Sequence, residues 1–209
     1  MISLHKIYKF IKNLYSNNNK YNSKSKQKIL IGIGGGGSNI VEYIDNLYQN
    51  QFNSMIINSD LNALNSKNIE TKLLLNKTDN YGCGANASCG LQLIDDIVLS
   101  DIAKFIDNRD DVNIIVTLGG GVGSGSTKAI IKYLNTKKIN IKIFVVYPFS
   151  WEGIKRMNRA TDTVKFIKKY DINLHEFYND DLKKYGKTSM KKCFNILNKD
   201  IYNLLNIEV

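Results

Sequence analysis

The chain has 209 residues, of which 43% are hydrophobic and 23% charged, enough to build one full core in a single domain. No apolar run reaches the roughly 18 residues of a membrane-spanning helix, and no signal-peptide pattern is present. The net charge of +10 is unevenly placed, because residues 1–28 contain seven lysines and no acidic residue. The rest of the chain is nearly balanced, which argues against a nucleic-acid-binding surface.

Residues 1–28 are predicted to form a basic extension and linker. Apolar residues recur at helical spacing in residues 4–15, with lysines on the other faces. Such a helix suits contact with an anionic membrane, packing on the domain, or a role as a leader, and the sequence leaves these alternatives open. Residues 16–27 lack apolar periodicity and predict a linker.

From residue 28 onward, short apolar runs alternate with helical patterns. Strands are predicted at 29–33, 53–58, 71–75, 112–118, 141–147 and 172–178. Helices are predicted at 38–48, 91–105, 127–134, 158–170 and from 188 to the end. This alternation predicts an α/β fold, a Rossmann-like parallel sheet with helices on both faces. Its ligand is expected at the carboxyl ends of the strands.

The cysteines are Cys83, Cys89 and Cys193, an odd number without a CxxC pair. They predict reduced thiols in a cytoplasmic setting rather than a disulfide framework or a zinc site. The two histidines, His5 and His175, are far apart in sequence, so no histidine-rich metal centre is expected.

Three glycine-rich segments follow predicted strands, at residues 32–39, 82–90 and 118–126. Glycine lets the backbone approach a ligand closely, and a helix start behind it presents unpaired N–H groups that suit an anion. The first segment also matches the dinucleotide pattern G-x-G-x-x-G, with Asp60 at a suitable distance for a ribose. A dinucleotide domain does not require the other two segments, and no G-x-x-x-x-G-K-[ST] is present. The three segments therefore favour a triphosphate.

These motifs resemble those of FtsZ, the tubulin-like division GTPase of bacteria, from about residue 28 to about residue 205. In chain order they are GIGGGGSN (32–39), INSD (57–60), YGCGANASCG (81–90), GGGVGSG (119–125), PFSWEGIKRM (148–157) and YNDDL (178–182). The resemblance implies a GTPase domain at residues 29–209 that ends in the long central helix. It also implies GTP and Mg²⁺ as cofactors, a cytoplasmic place at the division site, and assembly with itself or with a full-length FtsZ.

The resemblance further implies roles for individual residues. Backbone N–H groups would approach the phosphates at Gly34, Gly35, Gly36 and Gly37. The γ-phosphate would be covered by Gly84, Ala85 and Asn86, and the phosphate chain cradled by Gly119, Gly120, Gly121, Val122, Gly123, Ser124 and Gly125. Glu152 would hold the ribose, with the positive charge of Arg156 nearby. Asn39 and Asn179 would bond the guanine edge, and Phe194 would stack on its ring.

Magnesium would be held mainly by water and phosphate oxygens, so no protein ligand cage is expected. Two of the assigned side chains keep a simpler alternative. Glu152 and Arg156 have the i, i+4 spacing of an ordinary helix pair, and Phe194 also suits a core.

The sequence departs from the FtsZ pattern in three places. Val122 replaces the usual threonine, so only the Ser124 hydroxyl is expected near the phosphates. Lys199 stands where the guanine-reading aspartate is expected, with Asp200 one residue further on, which predicts weaker base specificity.

The third departure is the end of the sequence at Val209. The activating loop and the second FtsZ domain are expected to be absent, and no catalytic residue is assigned. Two functions therefore stay open: an FtsZ-type GTPase that couples hydrolysis to filament assembly, or a nucleotide-binding regulator that caps filaments of a full-length FtsZ. A dinucleotide-binding oxidoreductase is disfavoured by the glycine segments.

Overall fold

The structure is a computed structural model that describes residues 27–49, 51–75, 82–107, 109 and 111–206. The helix expected at 4–15 and almost all of the linker after it lie outside these residues. Within the described ranges, no helix has the length and apolar character needed to cross a membrane.

Six strands form one fully parallel sheet. They are β1 (Lys28–Ile33), β2 (Phe52–Asn58), β3 (Thr71–Leu74), β4 (Asp111–Thr117), β5 (Asn140–Tyr147) and β6 (Asn173–Tyr178). Their order across the sheet is β3-β2-β1-β4-β5-β6. The predicted α/β fold is confirmed, and every predicted strand is present with ends shifted by one residue at most.

Helices connect these strands. They are α1 (Gly34–Leu47), α2 (Leu61–Asn65), α3 (Ala87–Gln92), α4 (Asp96–Ile106), α5 (Gly121–Thr136), α6 (Ile154–Ile167) and α7 (Met190–Leu205). Short 3₁₀ turns cover Ser150–Glu152 and Asn179–Tyr185.

Four helical predictions differ from the structure, one of them because α6 begins four residues and ends three residues before the predicted 158–170. Helices α1 and α5 begin at Gly34 and Gly121, so the glycine segments form the first helical turns and not loops in front of them. Glycine is a poor helix former inside a helix, which led to later predicted starts. The helix predicted at 91–105 is divided into α3 and α4, because the Asp95 carboxylate accepts the Val98 N–H at 2.8 Å and starts a new helix.

Alternating side chains of the central strands build a core on each face of the sheet. On one face, Ile29 and Ile31 of β1 pack with apolar residues of α4, α5 and α6. On the other face, Leu30 packs with apolar residues of α1 and α7. Each face is therefore closed by helices, as a parallel sheet requires.

The chain reverses its direction across the sheet between β1 and β4. From β1 it proceeds to β2 and β3, then crosses back to β4 on the other side of β1 and continues outward. Ile33 and Val116 are paired near the carboxyl ends of these two strands. Helices α1 and α5 begin just beyond that point, which is where open α/β sheets bind their ligands.

Candidate functional site

A cavity of about 760 Å³ lies beyond the carboxyl ends of β1 and β4. Its volume falls in the range that small-molecule ligands occupy. One part of its wall is backbone from the starts of α1 and α5, and we call this the glycine end. The opposite part is made by side chains of α1, of α7 and of the segments after β5 and β6, and we call it the side-chain end.

The glycine end consists of two helix starts that face the same space. The first-turn N–H groups of a helix have no helical partners, and neither helix has a side-chain cap; in α5 the Gly121 N–H donates to the Gly84 carbonyl. Gly34 has φ +72°, and a Cβ placed on it would be 3.2 Å from the Gly123 nitrogen, which shows how closely the two helix starts approach. A Cβ on Gly35 or Gly120 would meet nothing within 4 Å. Exposed N–H groups and two positive dipole ends make this region suited to an anion.

Most residues singled out from the sequence line this cavity. They are Gly34, Gly35, Gly36, Asn39, Gly84, Gly120, Gly121, Val122, Gly123, Glu152, Arg156, Asn179 and Phe194. The others lie beside it and not in its wall: Gly37, Ala85, Asn86, Gly119, Ser124 and Gly125.

Several residues outside the wall shape the backbone. The buried Ser124 hydroxyl, expected near a ligand, accepts the Gly119 N–H at 2.8 Å and so closes the turn from inside. Gly37 packs against β4, where a Cβ would come within 2.6 Å of the Ile115 carbonyl oxygen. Gly125 lies against Ala87 of α3 in the same manner. Their missing side chains permit close packing of helix on strand and helix on helix.

The segment Gly82–Cys89 lines both the main cavity and an outer one of about 630 Å³, and we call it the 82–89 loop although its last three residues begin α3. Its Gly84 carbonyl accepts the Gly121 N–H at 2.9 Å. Asn86 caps α3 by accepting the N–H groups of Ser88 and Cys89. Ala85 and Asn86 line the outer cavity. Arg159, which the sequence reasoning did not single out, lines it as well. The Arg159 guanidinium donates to the Gly119 carbonyl at 2.8 Å.

The cysteine prediction is wrong in one respect. Cys83 and Cys89 form a disulfide across the 82–89 loop, with their Cα atoms 5.7 Å apart. Gly84 has φ +53° and bends the chain back, so that the first turn of α3 lies beside Cys83. Spacing rules based on CxxC could not anticipate this local closure. Cys193 is free and buried on α7.

At the side-chain end, two amides and an aromatic ring form the wall. The Asn179 side-chain oxygen is buried and has no hydrogen-bond partner among the described residues. Asn39 reaches the cavity from α1. Phe194 stands edge-on to Phe149, with ring centroids 6.2 Å apart, and leaves 37% of its surface exposed. An aromatic face beside amide donors and acceptors suits a flat heteroaromatic group.

Asn198 is a cavity residue that the sequence reasoning missed. It is buried, lines the wall, and follows Phe194 by four residues, so the two share one face of α7. Lys199 and Asp200, where the specificity residue was expected, are exposed and do not line the cavity. On this turn of α7 it is therefore Asn198, and not Lys199 or Asp200, that faces the cavity. Counting a full helical turn from Phe194 would have found Asn198.

Glu152 and Arg156 form an ion pair at the rim, and both line the cavity. Glu152 also accepts the Phe149 N–H at 2.8 Å. Next to it, the Ser150 N–H donates to Asp180 at 3.1 Å. The hydrogen bond from the Lys183 ammonium, followed by that from the Ser150 backbone, holds the pKa of Asp180 below its ordinary value. These contacts fasten the Glu152 segment to the turn that carries Asn179.

Asp60 lines the cavity, as the dinucleotide alternative requires, but its carboxylate accepts the Ala63 N–H at 3.0 Å and caps α2. Among the described residues, no group of three or more His, Cys, Asp or Glu side chains is placed to hold a metal ion. A cation here would depend on oxygens supplied by its ligand.

Comparison with known proteins gives a consistent result. The profile of the Tubulin/FtsZ family, GTPase domain, matches residues 27–187. The cell division protein FtsZ of Buchnera aphidicola subsp. Baizongia pistaciae is 32% identical over 155 residues, which are 73% of this chain and 40% of the relative. FtsZ of Aquifex aeolicus is 27% identical over 192 residues, 86% of this chain and 51% of the relative. The chain thus spans about half the length of these relatives or less.

Solved structures share the fold. An FtsZ dimer from M. jannaschii matches with a TM-score of 0.74 at 26% identity, covering 90% of this chain and 56% of that one. CetZ2 from Haloferax volcanii, described as a GTPγS-bound protofilament, matches with a TM-score of 0.72 at 18% identity, covering 84% and 55%.

Proposed function

The chain belongs to the Tubulin/FtsZ family through its GTPase domain, and from that premise we propose that it binds GTP in the 760 Å³ cavity. We further propose that it hydrolyses GTP to GDP as part of FtsZ-type filament assembly in cell division. Its place would be the cytoplasm at the division site.

The observation that carries this proposal is the convergence of two uncapped helix starts on one cavity. The α- and β-phosphates would accept hydrogen bonds from the first turns of α1 and α5. The γ-phosphate would lie towards the 82–89 loop. Because the glycines have no side chains, phosphate oxygens can come within hydrogen-bond distance of the backbone.

At the side-chain end, the guanine would stack on Phe194 and bond the amides of Asn39, Asn179 and Asn198. The Asn198 carboxamide offers an oxygen to the N1–H and amino group of guanine, and an NH₂ group that can donate to its O6. The unpaired Asn179 oxygen is a further acceptor. Guanine discrimination would therefore come from Asn198 and its neighbours, and not from position 199.

The ribose would lie at the rim, where Glu152 can accept bonds from its hydroxyls and Arg156 supplies positive charge. Magnesium would be held by phosphate oxygens and water, since the described residues provide no ligand cluster. Its chemistry, when bound, is to offset triphosphate charge.

A second candidate function is a filament cap, in which this chain binds GTP and docks on a full-length FtsZ without polymerising itself. One observation favours it. Both carboxylates that line the cavity are engaged, Asp60 as the cap of α2 and Glu152 in its pair with Arg156. We propose that the group that positions the attacking water comes from the full-length FtsZ on which this chain docks.

Titration of the purified 209-residue chain with a fluorescent GTP analogue tests the binding proposal. Unlabelled GTP and GDP should displace the analogue, ATP should displace it less well, and a nicotinamide dinucleotide should not compete. Competition by the dinucleotide but not by GTP would replace this function with the dinucleotide alternative.

Right-angle light scattering with a phosphate-release assay separates the two assembly roles. A polymerising GTPase scatters light when GTP is added to this chain alone. A cap leaves the scattering of the chain alone unchanged and lowers that of a full-length FtsZ at substoichiometric amounts. An unchanged signal in both settings would contradict both roles.

A further inference from the structure

The Cys83–Cys89 disulfide brackets the part of the 82–89 loop that faces the two cavities. Gly84, Ala85 and Asn86 lie between the bonded cysteines, and each of them lines one cavity or the other. Cys83 lines both. The bond thus closes a ring of residues at the place where the proposed γ-phosphate would lie.

Cys89 belongs to α3, which is packed closely against α5. Its neighbour Gly90 is buried against α5, where a Cβ would collide with the Gly121 carbonyl. The Ser126 hydroxyl donates to the Gly90 carbonyl at 2.8 Å from inside the same helix. Helix α3 is therefore packed backbone to backbone on α5, and Cys89 moves only if α3 moves.

Cys83, in contrast, lies outside α3, half-buried at the edge of the core. Its N–H donates to the Ser59 hydroxyl at 3.0 Å, and the following carbonyl, of Gly84, accepts the Gly121 N–H at 2.9 Å. Both bonds lie beside a cavity that water can enter. Without the sulfur–sulfur bond, the loop would be kept against α5 by these hydrogen bonds, by the turn at Asn86 and by the packing of Cys83 at the core edge.

We propose that Cys83 and Cys89 are a site of reversible thiol oxidation that restrains residues 83–86 against α5 and against the first turn of α3, which carries Cys89. Both residues are half-buried, so small thiols and disulfides can reach them. In a compartment that keeps thiols reduced, such a pair opens and closes with redox conditions and does not serve as a permanent brace.

The chemistry is thiol–disulfide exchange with a low-molecular-weight disulfide as oxidant. One cysteine thiolate attacks that disulfide, forms a mixed disulfide and releases one small thiolate. The second cysteine thiolate then displaces the other small thiolate and closes the Cys83–Cys89 bond. The two protons lost by the cysteines are taken up by the two released thiolates. A dithiol reverses the sequence and is itself oxidised.

The consequence for nucleotide release rests on the function proposed above. A loop that is already ordered loses less conformational freedom when it closes on a triphosphate. The oxidised chain should therefore release a GTP analogue more slowly than the reduced chain, by about 3- to 10-fold.

The test compares the 209-residue chain treated with glutathione disulfide and with dithiothreitol. Intact mass and thiol counting should show one disulfide after oxidation, with Cys193 still reduced. Without nucleotide, hydrogen exchange of peptides covering residues 82–92 should be slower in the oxidised form. Analogue release, measured by stopped flow, should slow in parallel. Cys89→Ala should behave as the reduced form under both conditions, and the matched variant Cys193→Ala should keep the redox response.

The outcomes separate this inference from the proposed function. Failure of the disulfide to form, or equal hydrogen exchange in the two forms, overturns the oxidation site. Equal release rates despite slower exchange overturn its effect on the nucleotide. Slower exchange in a chain that binds no GTP analogue in either form supports the restraint and removes the GTP-binding function instead.

Discussion

The two ends of the cavity are built on different principles. The glycine end presents backbone from two helix starts, and its properties follow from side chains that are missing. The side-chain end depends on amides, a carboxylate and a ring brought from α1, from α7 and from the segments after β5 and β6. The first end is suited to any phosphate chain, whereas the second can discriminate among bases and sugars.

This difference predicts that changes at the glycine end remove binding of all nucleotides, whereas changes at the side-chain end alter the preference among them. Measuring both affinity and selectivity for each variant therefore tests the division itself. A glycine variant that only changes base preference would contradict it.

The largest effect is expected at Gly120. A Cβ there meets no atom within 4 Å, so Gly120→Val should leave the fold intact and project into the space proposed for phosphates. We expect the affinity for GTP and ATP analogues to fall by on the order of 100-fold, about 2.7 kcal/mol. Fluorescence titration measures the loss, and circular dichroism checks the fold.

Gly35→Ala is the matched variant in α1, since Gly35 also has open space around its Cβ position. Alanine is favoured over glycine inside a helix by roughly 0.8–1 kcal/mol. The variant should therefore resist urea at least as well as the parent chain while it binds nucleotide less tightly. Undiminished affinity in both variants would show that the glycine end has a packing role only.

The second effect concerns base selectivity. Asn198→Ala should lower the preference for GTP over ATP by about 1–3 kcal/mol, because a buried hydrogen-bonding partner is lost. The neighbouring variant Lys199→Ala should leave that preference unchanged, since Lys199 is exposed and outside the cavity. Competition titrations give the ratio. A larger change for Lys199 than for Asn198 would place the base elsewhere.

A smaller effect is expected at the sugar. Glu152→Gln keeps an oxygen for the Phe149 N–H but loses its charge and its pair with Arg156. We expect the preference for GTP over 2′-deoxy-GTP to fall by about 1 kcal/mol, with little change for the deoxy compound. Equal losses for both nucleotides would mean that Glu152 only positions Arg156.

The smallest effect is expected in the free energy of unfolding, which should depend on pH through His175 of β6. Burial, and then the positive charge of Lys142, lower the pKa of His175 below its ordinary value of 6.5. Its ring stacks on Phe144, and its Nε2 has no hydrogen-bond partner among the described residues. Below pH 6.5 His175 becomes protonated in the unfolded chain, whereas in the folded chain it stays neutral until the pH reaches its lowered pKa. The stability that neutral His175 provides is complete above that pH and is lost as the pH falls through the lowered pKa.

Urea unfolding at pH 7.5 and pH 5.5 measures this loss. His175→Phe, which keeps a ring on Phe144, should reduce the difference between the two pH values. An unchanged difference would assign the acid sensitivity to other groups.

The strands and the glycine end could be predicted from the sequence for the same reason. Each is recognised from a short stretch of neighbouring residues, an apolar run in one case and a glycine-rich segment in the other. An apolar run such as Ile29–Ile33 predicts a strand of a parallel sheet, because such a strand is buried on both faces. The helix starts were predicted late, because the runs at Gly34 and Gly121 resemble helix breakers when their packing against β4 and α3 is unknown. The side-chain end was harder, since the phase of α7 decides whether Asn198 or Lys199 faces the cavity.

Two further features were not accessible from local pattern. The Cys83–Cys89 bond depends on the turn at Gly84 and on the short helix α3, neither of which was predicted. Arg159 reaches the outer cavity only because α6 crosses beside the Gly119 carbonyl. Both require knowledge of how distant segments pack.

The pairing of β1 with β4 sets the order in which the domain can be completed. The Asn113 carboxamide donates to the Ile29 carbonyl across 84 residues of chain. On a ribosome, β1 emerges long before β4, and non-local pairings of this kind form slowly. During that interval one edge of β1 stays open and the glycine end has one of its two helix starts. A ligand that needs both can bind only the nearly finished domain, so it raises the yield of folded protein by mass action without guiding the early steps.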